Sequence, residues 1–158
     1  MYEAGAWELS EQARSLWLRL NFAGEYSEGI RPVQIQGRKY LPMFPARDSV
    51  YTIAQVREKF LEVFSKEFTD KTLNTAIANK DLLEYNGNVY AACKKNKGET
   101  SYNSWADHIQ DDGDGKFTVV MGVSMPPDGN TVYVELPAEK NAAGYFVFTD
   151  YPYWDQSE

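Results

Sequence analysis

Cysteine and histidine are nearly absent from this chain, which has one residue of each type among 158. The single cysteine, Cys93, excludes an intrachain disulfide and leaves the redox compartment open. A Cys–His nucleophile pair would require Cys93 to meet the only histidine, His108, in space. Asp107 precedes His108, but adjacent residues of a strand point to opposite faces, so Asp107 should not orient it as a base. We therefore predict an exposed histidine at a strand end and no catalytic residue.

Positive charge is also scarce, since 16 lysine and arginine residues face 23 acidic residues and the formal net charge is -7. A negative surface repels phosphate backbones and anionic lipids, which argues against nucleic acid and favours a basic protein or a cation as partner. No apolar run approaches the roughly 20 residues of a membrane helix. The opening residues, MYEAGAWELSEQ, lack the basic and apolar regions of a secretory leader. We expect no membrane insertion and no signal peptide in the chain as given.

Low-complexity linkers and internal repeats are missing as well, and helical patterns precede strand patterns along the chain. This order predicts one α+β domain over residues 1–158, which we expect to be a monomer. Apolar residues at helical spacing indicate a first helix from Leu9 to Leu20 that ends near Asn21 and Gly24. Thr52 and Gln55 form a capping box for a second helix.

The predicted second helix carries Val63 and Phe64 on its apolar face, and Thr69 or Asp70 would cap a third helix. Strands dominate the remainder. A short edge strand is expected within residues 29–49, and Asn86–Gly87 marks a tight hairpin.

Three alternating apolar runs, KFTVVMGVS, TVYVELPA and YFVFTDYPYW, predict antiparallel strands near the end of the chain. Together, the elements predict N-terminal helices packed on a curved antiparallel sheet, as in a cystatin-like or NTF2-like cone.

Two segments, YLPMFPARDSVYTIAQVREKFLEVFSKEF and LLEYNGNVYAA, resemble secreted Gram-positive domains related to the IseA inhibitors of cell-wall DL-endopeptidases. In those proteins, a helix that ends near a Phe-Ser step precedes a strand pair with an Asn-Gly or Asp-Gly turn. The corresponding positions here are Phe64, Ser65, Asn86, Gly87 and Tyr90. The resemblance covers residues 40–92. It implies an extracellular or cell-wall location and inhibition by blocking the substrate groove of a hydrolase.

The motif DDGDGKF concentrates three carboxylates: Asp111, Asp112 and Asp114. It does not fit a calcium loop, because placing Gly115 at the required glycine puts Gln110 at the first ligand position and Met121 at the bidentate glutamate position. An Asp-Gly hairpin turn is the simpler interpretation, and no metal or cofactor is expected. Exposed carboxylates at a loop tip, with Asp107 nearby, could steer a basic partner.

Aromatic side chains cluster late in the chain and suit a binding surface, because tyrosine and tryptophan combine apolar area with a polar tip. The candidate binding residues are Tyr133, Tyr145, Tyr151, Tyr153 and Trp154. Each of them could instead belong to the core or pair with a neighbouring strand.

Three functions are compatible with these features. We favour a non-enzymatic extracellular protein-interaction domain that inhibits a basic cell-wall hydrolase through the acidic residues and the late aromatics. The first alternative is a carbohydrate- or peptidoglycan-binding module that uses the aromatics. The second is a small NTF2-like enzyme with Asp150 or Glu135 buried in a cone, although strand alternation predicts that Glu135 is solvated.

Overall fold

The structure, a computed structural model, describes residues 3–21, 31–94, 103–125 and 129–152. It confirms the α+β class, because helices accompany antiparallel sheets. Within the described residues, the strands form two four-stranded sheets instead of one continuous sheet. The cystatin-like or NTF2-like cone stays a prediction. No helix in the described part of the chain is both long and apolar enough to cross a membrane.

The described residues fall into two compact units. The C-terminal unit contains residues 3–14, 63–68, 103–125 and 129–152, and the central unit contains residues 15–21, 31–62 and 69–94. The expectation of a single domain over the whole chain stays a prediction. Helix α1 (Glu3–Asn21) contributes residues to both units and begins six residues before the predicted start at Leu9. Its fully or nearly buried side chains are Ala6, Ser10, Ala13, Leu16, Leu18 and Leu20.

The sheet of the central unit has the order β1-β2-β4-β3, with every pair antiparallel. Its strands are β1 (Val33–Ile35), β2 (Arg38–Pro42), β3 (Leu82–Tyr85) and β4 (Asn88–Ala92). The predicted hairpin at Asn86–Gly87 is confirmed, and both residues have positive φ, 49° and 76°. A second hairpin turns at Gln36–Gly37, where the sequence had predicted a single edge strand. Both turns use the left-handed backbone that asparagine and glycine tolerate well.

Helix α2 (Ile53–Leu61) begins with the predicted capping box. The hydroxyl of Thr52 accepts a hydrogen bond from the Gln55 amide at 3.1 Å, and the Gln55 side chain accepts one from the Thr52 amide at 3.1 Å. The helix ends before Val63 and Phe64, so the prediction that both residues lie on it was wrong. Both side chains are buried. In the sequence, their apolar character continues the spacing of the α2 face, although the backbone at these residues is not helical.

Helix α3 (Lys66–Ala78) begins earlier than predicted. Its cap is Ser65, whose hydroxyl accepts a hydrogen bond from the Phe68 amide at 3.2 Å. Thr69, one of the predicted caps, lies inside the helix and is fully buried. The sequence favoured Thr69 and Asp70 because both residue types cap helices, but Ser65 occupies the position that precedes the first helical turn.

The sheet of the C-terminal unit has the order β5-β6-β7-β8 and is antiparallel throughout. Its strands are β5 (Asn103–Gly113), β6 (Lys116–Met125), β7 (Asn130–Lys140) and β8 (Phe146–Phe148). The predicted late strands are confirmed as β6, β7 and β8, although β8 covers only Phe146–Phe148 of the run YFVFTDYPYW. The strand assumed around Asp107 and His108 is β5. Residues Val119, Met121 and Val123 of β6 are fully buried on one face of the sheet, which is its core face.

Residues 63–65 close the β8 side of this sheet. Phe64 forms a parallel bridge with Phe148, and the Phe148 amide donates to the Val63 carbonyl at 2.8 Å. The Ser65 amide donates to the Phe148 carbonyl at the same distance. Strand β5 has no hydrogen-bonded neighbour beyond β6 in the described residues, so it is the open edge of the sheet.

In the central unit, an ion cluster joins the turn after α3 to strand β2 and to the residues that follow β4. Asp81 accepts hydrogen bonds from Arg38 and Lys94, each at 2.9 Å, with its side chain 14% exposed. Its backbone is also fixed, since the Asp81 amide donates to Ala76 and its carbonyl accepts from the Ala92 amide, both at 2.8 Å. Burial alone would raise the pKa of Asp81, but the hydrogen bonds from Lys94 and Arg38 outweigh burial and hold this pKa below its usual value.

Replacing Asp81 with asparagine is expected to lower the free energy of unfolding at pH 7 by about 1–2 kcal/mol, since charge-assisted hydrogen bonds are lost. A carboxylate with a lowered folded-state pKa stabilises the fold above the unfolded-state pKa of about 4 and loses this contribution as the pH falls through the folded-state value. The two proteins should therefore converge in stability in acid. Urea unfolding at pH 7, 5 and 3 measures this, with Asp48→Asn as an exposed control. A difference that is the same at all three pH values would contradict it.

Candidate functional site

The β5–β6 hairpin turns at Asp114–Gly115, where φ is 56° and 74°, as the Asp-Gly motif predicted. Two carboxylates support the turn. Asp111 accepts a hydrogen bond from the Gly113 amide at 2.9 Å, and Asp112 accepts one from the Thr118 hydroxyl at 2.6 Å. These aspartates are therefore structural acceptors in the hairpin as well as charges at its tip.

The hairpin presents its charge to solvent. Asp107, Asp111, Asp112 and Asp114 are all exposed, and the side chains of β5 are exposed or partly exposed along the whole strand. The ladder between β5 and β6 is interrupted twice by register shifts. Charges and bulges on an edge strand oppose pairing with the backbone of another chain. Recognition at this edge is therefore expected to depend on side chains.

One register shift lies between Ala106 and His108 and leaves Asp107 without a partner on β6. The prediction that Asp107 cannot orient His108 was wrong, because strand alternation is broken at this bulge. The Asp107 carboxylate lies 2.7 Å from His108 Nδ1, and the Gln110 amide nitrogen lies 3.5 Å from His108 Nε2. With its proton on Nδ1, the imidazole donates to Asp107 and presents Nε2 as an acceptor.

We name the face of this sheet opposite its core face the outer face. It carries Trp105, His108, Tyr133 and Glu135. Strand register places Trp105, Gly122 and Tyr133 in one row across β5, β6 and β7. The next row contains His108, Val120 and Glu135. The exposed fractions of Trp105 and Tyr133 are 37% and 61%, so the outer face presents two accessible aromatic side chains.

Gly122 gives Trp105 its place on the outer face. A Cβ added at Gly122 would lie 2.3 Å from Cε2 of the indole, which therefore covers the glycine where another side chain would stand. Aromatic side chains shield glycines in sheets by this kind of cross-strand contact. The sequence analysis missed Trp105. An isolated glycine in the alternating run KFTVVMGVS was the available signal, since it indicates a close approach by another group.

The other predicted aromatics are distributed differently. Tyr145 is 70% exposed in the turn before β8, whereas Tyr151 is 3% exposed and packs edge-on against Phe64 with ring centroids 6.0 Å apart. Tyr151 therefore belongs to the core and not to an exposed binding surface. Tyr153 and Trp154 lie outside the described residues.

The carboxylates named for the enzyme alternative are both exposed. Glu135 lies on the outer face with Tyr133, as strand alternation predicted, and Asp150 accepts a hydrogen bond from the Tyr151 amide at 2.8 Å. Neither is enclosed in an apolar interior, which the enzyme alternative required. Burial raises the pKa of the Cys93 thiol, against the opposing charge of Lys39, and this disfavours the nucleophilic thiolate.

The described residues contain no group of three histidine, cysteine or acidic side chains arranged to hold a metal ion. Comparison of the sequence with models of protein families and with curated proteins found no match. The arrangement that the structure does bring together is an acidic hairpin beside a sheet face with two exposed aromatics.

Replacing Gly122 with alanine is expected to displace the indole of Trp105 and to lower the free energy of unfolding by about 1–3 kcal/mol, as overpacking does. In a Trp105→Ala background, the clash is absent. There, the same change is expected to be neutral or to stabilise by up to about 1 kcal/mol, because alanine loses less backbone entropy than glycine. Urea unfolding of the four proteins measures this coupling. An equal cost of Gly122→Ala in both backgrounds would contradict the contact.

Proposed function

We propose that this chain is a non-enzymatic interaction domain that binds a basic protein through the β5–β6 hairpin and the adjoining outer face. The observation that carries the proposal is the exposure of β5, an open edge strand whose hairpin has four exposed aspartates. Among the residues of the hairpin, only Lys116 opposes them with a formal positive charge. A projecting group of one charge sign accelerates the approach of a partner with the opposite sign.

The net charge of -7 acts in the same direction over the whole chain. Local placement distinguishes the hairpin from this background, because its tip carries three carboxylates within four residues, Asp111 to Asp114. Two of them, Asp111 and Asp112, accept hydrogen bonds from Gly113 and Thr118, which stabilise the turn and keep these two carboxylates in defined positions. A preorganised charge loses less conformational entropy on binding than a charge on a free side chain.

The resemblance to the IseA inhibitors supplies a specific partner for this proposal. It would make the partner a cell-wall DL-endopeptidase, place the chain outside the cell, and explain inhibition by a hairpin that occupies the substrate groove. Shape favours this mode of action, since the hairpin extends along an open sheet edge and can enter a concave surface.

A carbohydrate- or peptidoglycan-binding module is the second candidate, and the exposed pair Trp105 and Tyr133 favours it. Aromatic side chains provide apolar area with a polar tip, which suits both sugars and proteins. The dependence of binding on salt concentration distinguishes the two candidate functions. Binding of a neutral sugar depends little on ionic strength, whereas attraction by carboxylates is screened by salt.

Replacing Asp111, Asp112 and Asp114 together with asparagine is expected to reduce the association rate with a DL-endopeptidase about tenfold at low ionic strength. Asparagine retains an acceptor oxygen and tolerates positive φ, so the hairpin should remain folded. Surface plasmon resonance at 20 and 300 mM salt measures the rate, and peptide release from peptidoglycan measures inhibition.

The matched control removes three exposed carboxylates from the helical part of the chain, Glu58, Glu62 and Glu67, by substitution with glutamine. Both variants lose the same charge, so only a local effect separates them. Equal association rates for the two variants would contradict a specific role of the hairpin. Wild-type protein that neither binds the enzyme nor slows peptide release would overturn the proposed partner.

A further inference from the structure

We propose that the outer face binds the cationic side chain of an arginine or lysine residue of the partner protein, held against Trp105 and Tyr133 and paired with Glu135. This inference rests on the proposed function and specifies its contact chemistry. It assigns the hairpin tip to long-range attraction and the outer face to the stable contact.

The geometry comes from the strand register. Trp105 and Tyr133 flank Gly122 in one row, and neighbouring strands in a sheet lie about 5 Å apart. Glu135 follows Tyr133 by two residues on the same strand, so both side chains project from the same face about 7 Å apart along β7. A guanidinium or ammonium group beside the two rings therefore lies within reach of the Glu135 carboxylate.

The absence of a side chain at Gly122 shapes this surface. The indole of Trp105 occupies the space above the glycine, so it lies against the sheet instead of standing away from it. Gly122 is consequently buried although it faces outward, and Val120 in the next row is 6% exposed. The result is a supported aromatic side chain that loses little conformational freedom when a partner binds.

Charge selects the occupant. The strand segments that form this surface, 103–110, 118–124 and 131–137, contain no lysine or arginine residue. Their acidic residues are Asp107 and Glu135, and Asp107 is already engaged by His108. The exposed Glu135 carboxylate thus adjoins the rings with no cationic residue of these segments to neutralise it. Cations are attracted to aromatic faces, most strongly to tryptophan, and arginine is the commonest partner.

The test uses the whole chain and a defined probe, the peptide acetyl-Gly-Arg-Gly-Arg-Gly-amide, at low ionic strength. Its matched control replaces each arginine with citrulline, which keeps the shape and removes the charge. Titration of ¹⁵N-labelled protein follows the indole N–H of Trp105, assigned with a Trp105→Phe variant. We expect this resonance to shift with the arginine peptide and affinity to fall at least fivefold with citrulline.

Two variants test the assigned residues without disturbing the core. Tyr133→Ala and Glu135→Gln, both at exposed positions, should each weaken the arginine peptide roughly three- to fivefold. The matched controls are Tyr85→Ala, which removes an exposed tyrosine from the β1–β4 sheet, and Glu58→Gln, which removes an exposed carboxylate from α2. Neither control should change affinity. Circular dichroism and thermal unfolding establish that each variant is folded.

Equal affinity for the citrulline peptide would overturn the inference, as would shifts confined to the hairpin tip at Asp111–Asp114. In the latter case, the proposed function would survive with the tip as its only contact. A shift of the Trp105 resonance by chitotetraose but not by the arginine peptide would also overturn it, in favour of carbohydrate binding. Endopeptidase binding tests the proposed function separately. It should be weakened in the variant of Asp111, Asp112 and Asp114 and retained in the control variant of Glu58, Glu62 and Glu67.

Discussion

The antiparallel pairing of β6 with both β5 and β7 is the constraint on which the C-terminal unit depends. Val119, Met121 and Val123 of β6 are fully buried on the core face, so a shift of one residue would turn three apolar side chains outward. That fixed register also determines the opposite face. It places Trp105 on one side of Gly122 and Tyr133 on the other, and no local property of either aromatic residue accounts for this arrangement.

Local chemistry determined the elements that sequence reasoning predicted well. The turns at Asn86–Gly87 and Asp114–Gly115 both need positive φ, and the capping box of Thr52 and Gln55 satisfies helix-end amides within four residues. Elements with weaker local signals were missed. The hairpin at Gln36–Gly37 has glutamine where the recognised turn signals have asparagine or aspartate. The end of α2 before Val63 depends on pairing with β8, which lies far along the sequence.

In the candidate site as well, local features could be predicted from the sequence and long-range contacts could not. The acidic tip could be read from the motif DDGDGKF, because a hairpin turn and exposed carboxylates are local properties. The burial of Tyr151 against Phe64 could not be predicted from the sequence, because the contact joins residues that are distant in sequence. The orientation of His108 depends on a bulge at Asp107, and strand alternation gives no warning of an inserted residue.

We assign attraction to the hairpin tip and stable contact to the outer face, and both belong to the β5–β8 sheet. Hydrogen–deuterium exchange of the chain alone and in mixture with a purified DL-endopeptidase tests this assignment most directly. We expect slower exchange in peptides that contain β5 and its turn to β6, where edge amides and exposed side chains would be covered. Protection confined to β1–β4, or no protection at saturating enzyme, would contradict it.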